Sequence, residues 1–375
     1  MMKRMIYQKL VSCFVTGIIL IGMVVFLLLP KKTFSEQENQ ELERFPTFSK
    51  EAVLDGSFIE GLEAYLCDHF PLRNSFLNIK TQFEKLLGKK EINEVYLAKD
   101  GYLIEKYKEP VNNEKVIRVF NSFANSLQTA ECYVMLAPTA ITIYQDKLPV
   151  FVDGSRQEEN RQYLMEQMNT KVIDIGGILK EHASEYPLYY RLDHHWTGYG
   201  AYFAYRVFCE ELGLPARELE EYQISEITKE FKGTIYSKVC DFSAKGDTIT
   251  LFQLPEQKLK VTYVDTEEVT DSLYELEYLD KKDKYSLFLN NIHPLVEIEN
   301  LEIQSQEELV IVKDSYANCF VPFLTEYYRK IYVVDTRYYR LPISTFINEN
   351  PAIKNVLILY NMNTIDTDLG VGGIY

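Results

Sequence analysis

The longest apolar run of the chain lies close to its N-terminus, between Leu10 and Leu29. No charged residue interrupts this run, and Lys3, Arg4 and Lys9 precede it. A helix needs about 20 residues to cross the hydrocarbon core of a bilayer, and basic flanking residues favour the cytoplasmic side. We therefore predict a transmembrane signal anchor within residues 1–30 and an extracytoplasmic location for the rest. A cleaved signal peptide is the alternative, and it would change the attachment but not the compartment.

The segment after the apolar run is predicted to be helical. Residues 31–44 are polar and charged, which suits a solvated stalk. Apolar residues then recur at helical spacing from Phe58 to Leu87, and Pro71 should divide them into two helices. We assign residues 31–92 to this stalk and helical lead-in, and residues 93–375 to the main domain. That domain begins with a predicted hairpin on the Asp-Gly turn at residues 100–101.

Five short runs have the β-branched and aliphatic composition of strands that are buried on both faces. Helical stretches separate most of them, and such alternation is typical of an α/β fold with a doubly wound, mostly parallel sheet. Functional groups in these sheets gather at the carboxyl ends of the strands. The predicted strands are 132–137, 171–175, 309–313, 331–335 and 356–360, and the predicted helices are 116–127, 158–168, 198–212 and 316–328.

Between about residues 215 and 300 the composition and the hydrophobic pattern of the sequence change. The sequence becomes acidic, and apolar and polar residues alternate in short runs. Alternation with a period of two predicts strands that bury one face. We therefore predict a β-rich insertion in the α/β domain, with strands at 248–253, 258–264, 273–279 and 285–289.

Composition narrows the classes of function. Hydrophobic residues make up 46% of the 375 residues and aromatic residues 13%, which excludes a generally disordered chain. The formal net charge is −15 and no basic patch is visible, so we predict no nucleic-acid partner. The six cysteines are scattered without a C-x-x-C pair, which indicates neither a disulfide framework nor a zinc site. We predict no metal and no cofactor.

Asp193-His194-His195-Trp196 contains two of the five histidines and the single tryptophan. Thr197 is a suitable N-cap for the following helix, so the tetrapeptide is predicted to be an extended loop after a strand that ends at Tyr189–Arg191. Residues two apart in extended backbone point to the same side, which places Asp193 beside His195 and turns His194 away. A carboxylate beside an imidazole fixes the tautomer of a general base. A satisfied, partly buried histidine at the start of a helix is the alternative.

Ser315 follows the predicted strand 309–313 and opens a predicted helix. The free backbone N–H groups at such a junction can hold an oxyanion. A serine that only caps the helix is the alternative. Together with Asp193 and His195, however, Ser315 completes the acid, base and nucleophile that acyl transfer requires.

These two motifs carry a resemblance to a known family. Asp193–Trp196 followed by Lys313–Asn318 resembles the DHHW protein family, which is named for the tetrapeptide. The similarity covers nearly the whole chain after the apolar run, with further motifs at 34–39, 68–73, 231–234 and 334–339. The family is similar in turn to the SGNH-hydrolase-like alginate O-acetyltransferases, whose motif is Asp-x-His-Trp with a distal Asp-Ser. The resemblance implies an SGNH-hydrolase-like α/β fold.

The resemblance also implies roles for single residues: Ser315 as nucleophile, His195 as base and Asp193 as its orienter. It implies acetyl transfer to an extracytoplasmic polysaccharide, with a membrane-bound O-acyltransferase as the partner that delivers the acyl group. The family pattern has Gly-Gly-Asn before His-Pro, whereas Ile292 precedes His293-Pro294 here. Candidates for the oxyanion donor or the cleft are therefore Asn318, Asn291, Asn290, Trp196 and Arg337, beside the backbone N–H groups. Arg337 alternatively pairs with Asp335.

The sequence thus predicts a membrane-anchored O-acyltransferase or esterase, O-acetyl by resemblance, that acts on an envelope glycan or exopolysaccharide. It does not separate transfer to a sugar from transfer to water. Another class remains open, a catalytically weak envelope glycan-binding or assembly protein, which the Ile292 departure favours. A DHH-type metal phosphoesterase would need further Asp-rich ligand motifs, and the sequence has none.

Overall fold

The computed structural model describes residues 2–254 and 257–374. The chain divides into two compact units: one comprises the chain up to Gly88 with Cys240–Phe242, and the other comprises Lys89–Val239 with Ser243–Tyr375. The first unit is helical, and the second carries the main sheet. The division of the chain at residues 30 and 92 stays a prediction.

In the first unit, α1 carries an apolar stretch at Ile6–Leu28, 23 residues long and unburied. That length suffices to cross a membrane, and an N-terminal signal sequence has the same properties. Helices α3 and α4 meet around Pro71, as the break in the helical pattern predicts. The helices of the described residues are α1 (Met2–Leu28), α2 (Lys50–Leu54), α3 (Ser57–Asp68), α4 (Arg73–Leu86), α5 (Asn113–Ser126), α6 (Ala140–Ile143), α7 (Ser155–Glu166), α8 (Gly176–His182), α9 (Gly198–Leu212), α10 (Thr234–Val239) and α11 (Ile343–Glu349).

An eight-stranded sheet forms the centre of the second unit, in the order β11-β10-β12-β14-β13-β15-β6-β7. The five strands from β14 to β7 run parallel, and β12, β10 and β11 extend this sheet in antiparallel fashion. The strands are β1 (Phe34–Ser35), β2 (Gln40–Glu41), β3 (Glu91–Ile92), β4 (Val95–Leu97), β5 (Leu103–Glu105), β6 (Glu131–Ala137), β7 (Lys171–Val172), β8 (Gln223–Phe231), β9 (Asp247–Gln253), β10 (Leu259–Tyr263), β11 (Glu268–Thr270), β12 (Leu295–Asn300), β13 (Glu308–Lys313), β14 (Lys330–Val334) and β15 (Ile353–Asn361).

The sheet is buried on both faces because its strands direct alternate side chains into two separate cores. In β13, Leu309 and Ile311 pack into one core, whereas Val310 and Val312 pack into the other. All six residues of this strand are buried, which explains its continuous apolar sequence. The mixed α/β architecture with a mostly parallel sheet is therefore confirmed, and each of the five predicted parallel strands is present.

Three predicted elements are wrong. The predicted helix 316–328 consists of two 3-10 helices, Ser315–Cys319 and Val321–Leu324, because Pro322 lacks the N–H that a continuous helix needs. The predicted strands 273–279 and 285–289 contain 3-10 helices at Leu276–Asp280 and Lys284–Leu287. Their alternating apolar residues reach the core from turns. Strands β10 to β12, from the predicted insertion, join the main sheet, and β8 and β9 form a separate two-stranded sheet.

Candidate active site

Ser315 lies directly after β13, at the carboxyl edge of the main sheet. Asp314 fixes this junction to the neighbouring strand β15. One oxygen of its carboxylate accepts hydrogen bonds from Asn361 N and Asn361 Nδ2, both at 2.7 Å. The other accepts the Tyr316 N–H at 2.9 Å. The end of β15 and the start of the 3-10 helix therefore hold the Ser315 backbone in place, while its side chain remains partly exposed.

The Asp193–Trp196 loop reaches the same place from another part of the chain. Tyr189 forms an isolated antiparallel bridge to Trp196, so the prediction that a strand ends at Tyr189–Arg191 is wrong. Thr197 caps α9 as predicted, since its hydroxyl accepts from Tyr199 N. Asp193 and His195 point to the same side because Asp193 Oδ1 accepts the His195 backbone N–H at 3.0 Å, which closes a short side-chain turn.

The same Asp193 oxygen lies 2.6 Å from His195 Nδ1, and His195 Nε2 lies 2.7 Å from Ser315 Oγ. A carboxylate only accepts hydrogen bonds, so His195 Nδ1 carries the proton and Nε2 accepts from the Ser315 hydroxyl. The structure thus brings together an orienter, a base and a hydroxyl that are up to 122 positions apart in sequence. This geometry is able to activate the serine oxygen as a nucleophile.

Thr234 holds the second oxygen of the Asp193 carboxylate. Its backbone N–H donates to Asp193 Oδ2 at 2.8 Å and its hydroxyl donates at 3.1 Å. The preceding residue has to be glycine, because a Cβ at Gly233 would lie 2.0 Å from that oxygen. His194 Nδ1 lies 2.6 Å from Thr234 Oγ1, so His194 completes a chain through Thr234 to Asp193. The prediction that His194 turns away from the pair is therefore wrong.

Burial and neighbouring charges set the ionisation of the pair. Burial would raise the pKa of Asp193, but His194, His195 and the Thr234 N–H hold this pKa well below its usual range. Burial and then the neighbouring His194 lower the pKa of His195, Asp193 opposes both, and the resulting pKa is about 4. His195 is consequently neutral at neutral pH, which is the state that a general base requires.

Aromatic side chains enclose the imidazole. The Tyr285 ring stacks on the His195 ring, with a centroid distance of 3.7 Å and an angle of 8° between the planes. The Tyr285 hydroxyl donates to Ser315 O at 3.1 Å, so Tyr285 contacts both the base and the backbone of the serine. Trp196 is fully buried, and its Nε1–H donates to Tyr316 O at 2.9 Å. Trp196 therefore supports the serine turn and does not line an open cleft.

The sequence did not identify three of the residues that surround Asp193 and His195. Tyr285 carries no signal beyond its aromatic character, because its role depends on a turn that was predicted as a strand. Gly233 and Thr234 do carry one, since they belong to the 231–234 motif of the family resemblance. This motif had no role assigned from the sequence, because its contact with Asp193 is visible only in the folded chain.

The other candidates have partners of their own. Asn318 is buried; its Oδ1 accepts from Lys313 Nζ at 2.8 Å, and its Nδ2 donates to Asn291 O at 3.4 Å. Asn290 Oδ1 accepts from the Tyr278 hydroxyl. The Asn291 side chain is exposed, as is Ile292. Arg337 forms a two-pronged ion pair with Asp335, the alternative that the sequence left open.

The Ser315 backbone N–H is a further donor beside the nucleophile. It has no hydrogen-bond acceptor within residues 2–254 and 257–374. It stands at the positive end of the 3-10 helix and next to the Ser315 oxygen. A backbone N–H in this position is able to donate to the oxyanion of a tetrahedral intermediate.

A cavity of about 320 Å³ adjoins the Asp193 side of the site. Its lining includes Asp193, His194 and Thr234, with the Glu105 carboxylate and Lys238 opposite, but not Ser315 or His195. The donor atoms of Asp193, His194 and His195 lie within 4.8 Å of one another, a spacing that suits a metal ion as well. Because both ring nitrogens of His195 have hydrogen-bond partners, the geometry favours proton transfer over metal ligation.

Comparisons with known proteins give the family and support the fold. The sequence model of the DHHW protein family matches residues 88–334. The structure is similar to a DHHW family protein from Eubacterium siraeum DSM 15702, with 24% identity, a TM-score of 0.64 and coverage of 76% of this chain and 96% of that one. It is also similar to Bacillus cereus PatB1 with a sulfonyl adduct, with 19% identity, a TM-score of 0.62 and coverage of 75% and 98%.

A weaker structural similarity is found with the O-acetyltransferase domain of Pseudomonas putida AlgJ, with 14% identity, a TM-score of 0.46 and coverage of 72% of this chain and 92% of that one. Comparison with curated protein sequences gives no match. The family match spans well over half of the chain and includes Asp193–Trp196 and Ser315. The chain therefore belongs to the DHHW protein family.

Proposed function

We propose that this protein is a membrane-anchored extracytoplasmic O-acyltransferase or esterase, with an acetyl group as the acyl group and a cell-envelope or exopolysaccharide glycan as the target. The observation that carries the proposal is the continuous line of hydrogen bonds from Asp193 through His195 to the Ser315 hydroxyl. A buried, neutral imidazole that accepts from a partly exposed serine hydroxyl is the arrangement that nucleophilic acyl transfer uses.

The chemistry proceeds in two halves. Ser315 Oγ attacks the carbonyl carbon of an acyl ester while His195 Nε2 takes the serine proton, and Asp193 stabilises the imidazolium that forms. The Ser315 N–H donates to the oxyanion. The leaving group then takes the proton from His195, and an acyl-serine ester remains. An acceptor hydroxyl next gives its proton to His195 and attacks the ester carbonyl. The bond between the acyl carbon and Ser315 Oγ breaks, the acyl group stays on the acceptor, and His195 gives its proton back to the serine oxygen.

The acceptor decides between the two activities. A sugar hydroxyl gives transfer, and water gives hydrolysis. The apolar stretch Ile6–Leu28 supports a location at the membrane, and the family resemblance supports a membrane-bound O-acyltransferase as the source of the acyl group and a polysaccharide as its acceptor.

The test is hydrolysis of an activated acetyl ester by the full chain in detergent micelles, beside Ser315→Ala and His195→Ala. We expect activity in the parent and its loss in both variants, with unchanged thermal unfolding. Activity that both substitutions leave intact would show that the ester is cleaved elsewhere. A folded parent without activity on any acyl ester or sulfonyl reagent would also contradict the proposal.

One observation favours a second candidate, a catalytically weak envelope protein that binds glycan or assists assembly. The Asn318 amide bonds to Lys313 and Asn291, the Asn290 amide oxygen accepts from the Tyr278 hydroxyl, and the Ile292 side chain offers no donor. If the backbone N–H alone is too weak to stabilise the oxyanion, the fold would still recognise a glycan. Binding of polysaccharide by an inactive parent, measured by calorimetry, would favour this candidate.

A further inference from the structure

The two helices after the apolar helix expose a large apolar surface. On α4, Phe76, Ile79, Phe83 and Leu86 repeat at spacings of three and four residues and are 54%, 61%, 58% and 82% exposed. This spacing places them in one stripe along the helix. The opposite face of α4 is packed, since Thr81 is buried there. A stripe of large exposed apolar residues on a helix marks a contact surface.

Helix α3 adds a second row to this surface. Ile59, Leu66 and Phe70 are exposed and line, with Phe76 and Leu77 of α4, an apolar groove of about 670 Å³. We call the two rows together, with Phe83 and Leu86, the α3–α4 face. The corner between the helices contacts the segment that follows α1, because His69 Nε2 lies 3.0 Å from Lys32 O.

Further contacts connect α3 and α4 with the end of α1 and the segment that follows it. Phe26 near the end of α1 packs edge-on against Tyr65 of α3, with a centroid distance of 6.1 Å. Arg73, the first residue of α4, donates two hydrogen bonds to the Glu38 carboxylate, at 2.8 and 2.9 Å. A helix of this length and composition, if it spans a bilayer, places its end at the headgroup region. With α1 across a bilayer, the α3–α4 face would start at the level of the lipid headgroups.

We propose that the α3–α4 face binds the surface of the lipid bilayer in which α1 is anchored, with its apolar side chains at the boundary between headgroups and acyl chains. The proposal rests on the retention of α1 as the anchor, as in the proposed function, but not on the chemistry of Ser315. Charge supports a lipid occupant. Residues 73–90 contain five basic residues and one acidic residue, whereas the whole chain has a net charge of −15. Of the five, Arg73 and Lys85 pair with Glu38 and Asp241, and Lys80 is exposed beside the apolar groove. An amphipathic helix with basic residues beside its apolar stripe is typical of interfacial membrane contact.

Such contact would hold the main domain close to the membrane and limit its distance from the bilayer surface. It would thus keep Ser315 near a membrane-borne acyl donor. A second copy of the chain or another protein on this face are the competing occupants, and the experiment below separates them from lipid.

The test uses the full chain in vesicles of phosphatidylcholine and phosphatidylglycerol, with Phe83→Trp on the stripe and Asn74→Trp as the matched control. Asn74 is exposed on the same helix and lies nine residues from Phe83, which is about 180° around the helix. Native Trp196 is buried and provides a constant background. We expect acyl-brominated lipids to remove about half of the added emission of Phe83→Trp and little from Asn74→Trp, because only the stripe enters the acyl boundary. Ile79→Trp provides a second position on the stripe.

Four results would overturn the proposal. Equal quenching at both positions would show that the stripe does not face lipid. Quenching of Phe83→Trp by aqueous acrylamide would show an open surface, and protection from both quenchers would indicate a protein partner. Release of the chain by alkaline carbonate would remove the anchor on which the contact depends. The activity of Ser315 is independent of these readouts, so failure of one proposal is distinguishable from failure of the other.

Discussion

The two sides of Ser315 differ in how completely they are built. On the base side, His195 and Thr234 form hydrogen bonds to the two oxygens of the Asp193 carboxylate, and the Tyr285 ring stacks on the imidazole. On the oxyanion side, the Asn318 amide bonds to Lys313 and Asn291, and the Asn290 amide oxygen accepts from Tyr278. The Ser315 N–H is a donor without an acceptor among the described residues. The structure therefore has several contacts that orient the base for activation of the nucleophile, and few donors placed to stabilise the oxyanion.

This difference separates two measurable properties. Reaction of Ser315 with a sulfonyl fluoride depends strongly on the base side, whereas turnover of an ester depends on both sides. Comparison of the sulfonylation rate and the turnover rate in the same variants therefore shows which side limits the turnover of the ester. Sulfonylation of Ser315, followed by intact mass, measures the effects of the base side, because it needs neither the natural donor nor the natural acceptor. Ester turnover measures the effects of the oxyanion side.

The largest effect is expected for His195→Ala. The substitution should slow sulfonylation of Ser315 by about 10²- to 10⁴-fold, because no other group takes the serine proton. His194→Ala is the matched control, since the two imidazoles are adjacent, with ring centroids 3.8 Å apart. We expect it to retain a rate within about tenfold of the parent, because His194 makes its hydrogen bond to Thr234 and not to Ser315. An equal loss in both variants would mean that either histidine serves as the base.

Thr234→Val should slow the same reaction by about 10- to 100-fold. The substitution removes the hydroxyl that donates to Asp193, and a hydrogen bond to a charged group contributes about 1.5–3 kcal/mol. Thr234→Ser keeps a hydroxyl and should restore most of the rate. If Ser and Val lower the rate equally while the unfolding temperature falls, Thr234 supports the fold and not the orientation of Asp193.

The pH dependence should follow the neutral form of His195. Its pKa is about 4 in the folded protein, against an ordinary value of 6.5. The rate should therefore stay level from neutral pH to about pH 5 and fall about tenfold per pH unit below 4. Because this pKa is lowered on folding, the stability that His195 contributes is present above pH 6.5 and is lost as the pH falls through 4. A rate that already halves near pH 7, in protein whose near-ultraviolet circular dichroism shows it folded, would contradict the lowered pKa.

The smallest effect on rate is expected on the oxyanion side. Asn318→Ala should lower the free energy of unfolding by about 1–3 kcal/mol, because buried Lys313 loses its nearest acceptor. The rate constants of the protein that remains folded should change by less than about threefold, since the amide points to Lys313 and not to an oxyanion. Urea unfolding and ester turnover measure the two quantities. A turnover loss of about 10²-fold or more at unchanged stability would instead make Asn318 an oxyanion donor.

Local pattern predicted much of the scaffold. Continuous apolar runs predicted the parallel strands, and the break at Pro71 predicted the corner between α3 and α4. The errors fall where short alternating runs form turns: 285–289 has the spacing of a strand, but its residues reach the core through a 3-10 helix. Alternation reports only that every second side chain is buried, and a turn against a packed core satisfies this condition as well.

The sequence by itself determined the chemistry that is available, because Asp193, His195 and Ser315 are the residue types of nucleophilic acyl transfer and lie in recognisable motifs. It also determined the apolar helix and the character of the buried sheet. Only the tertiary structure decided which atoms meet. The ends of β13 and β15, the turn closed by Asp193 and the close approach of Gly233 come from distant parts of the chain. Their hydrogen bonds depend on distances of a few tenths of an ångström, which side-chain periodicity does not encode.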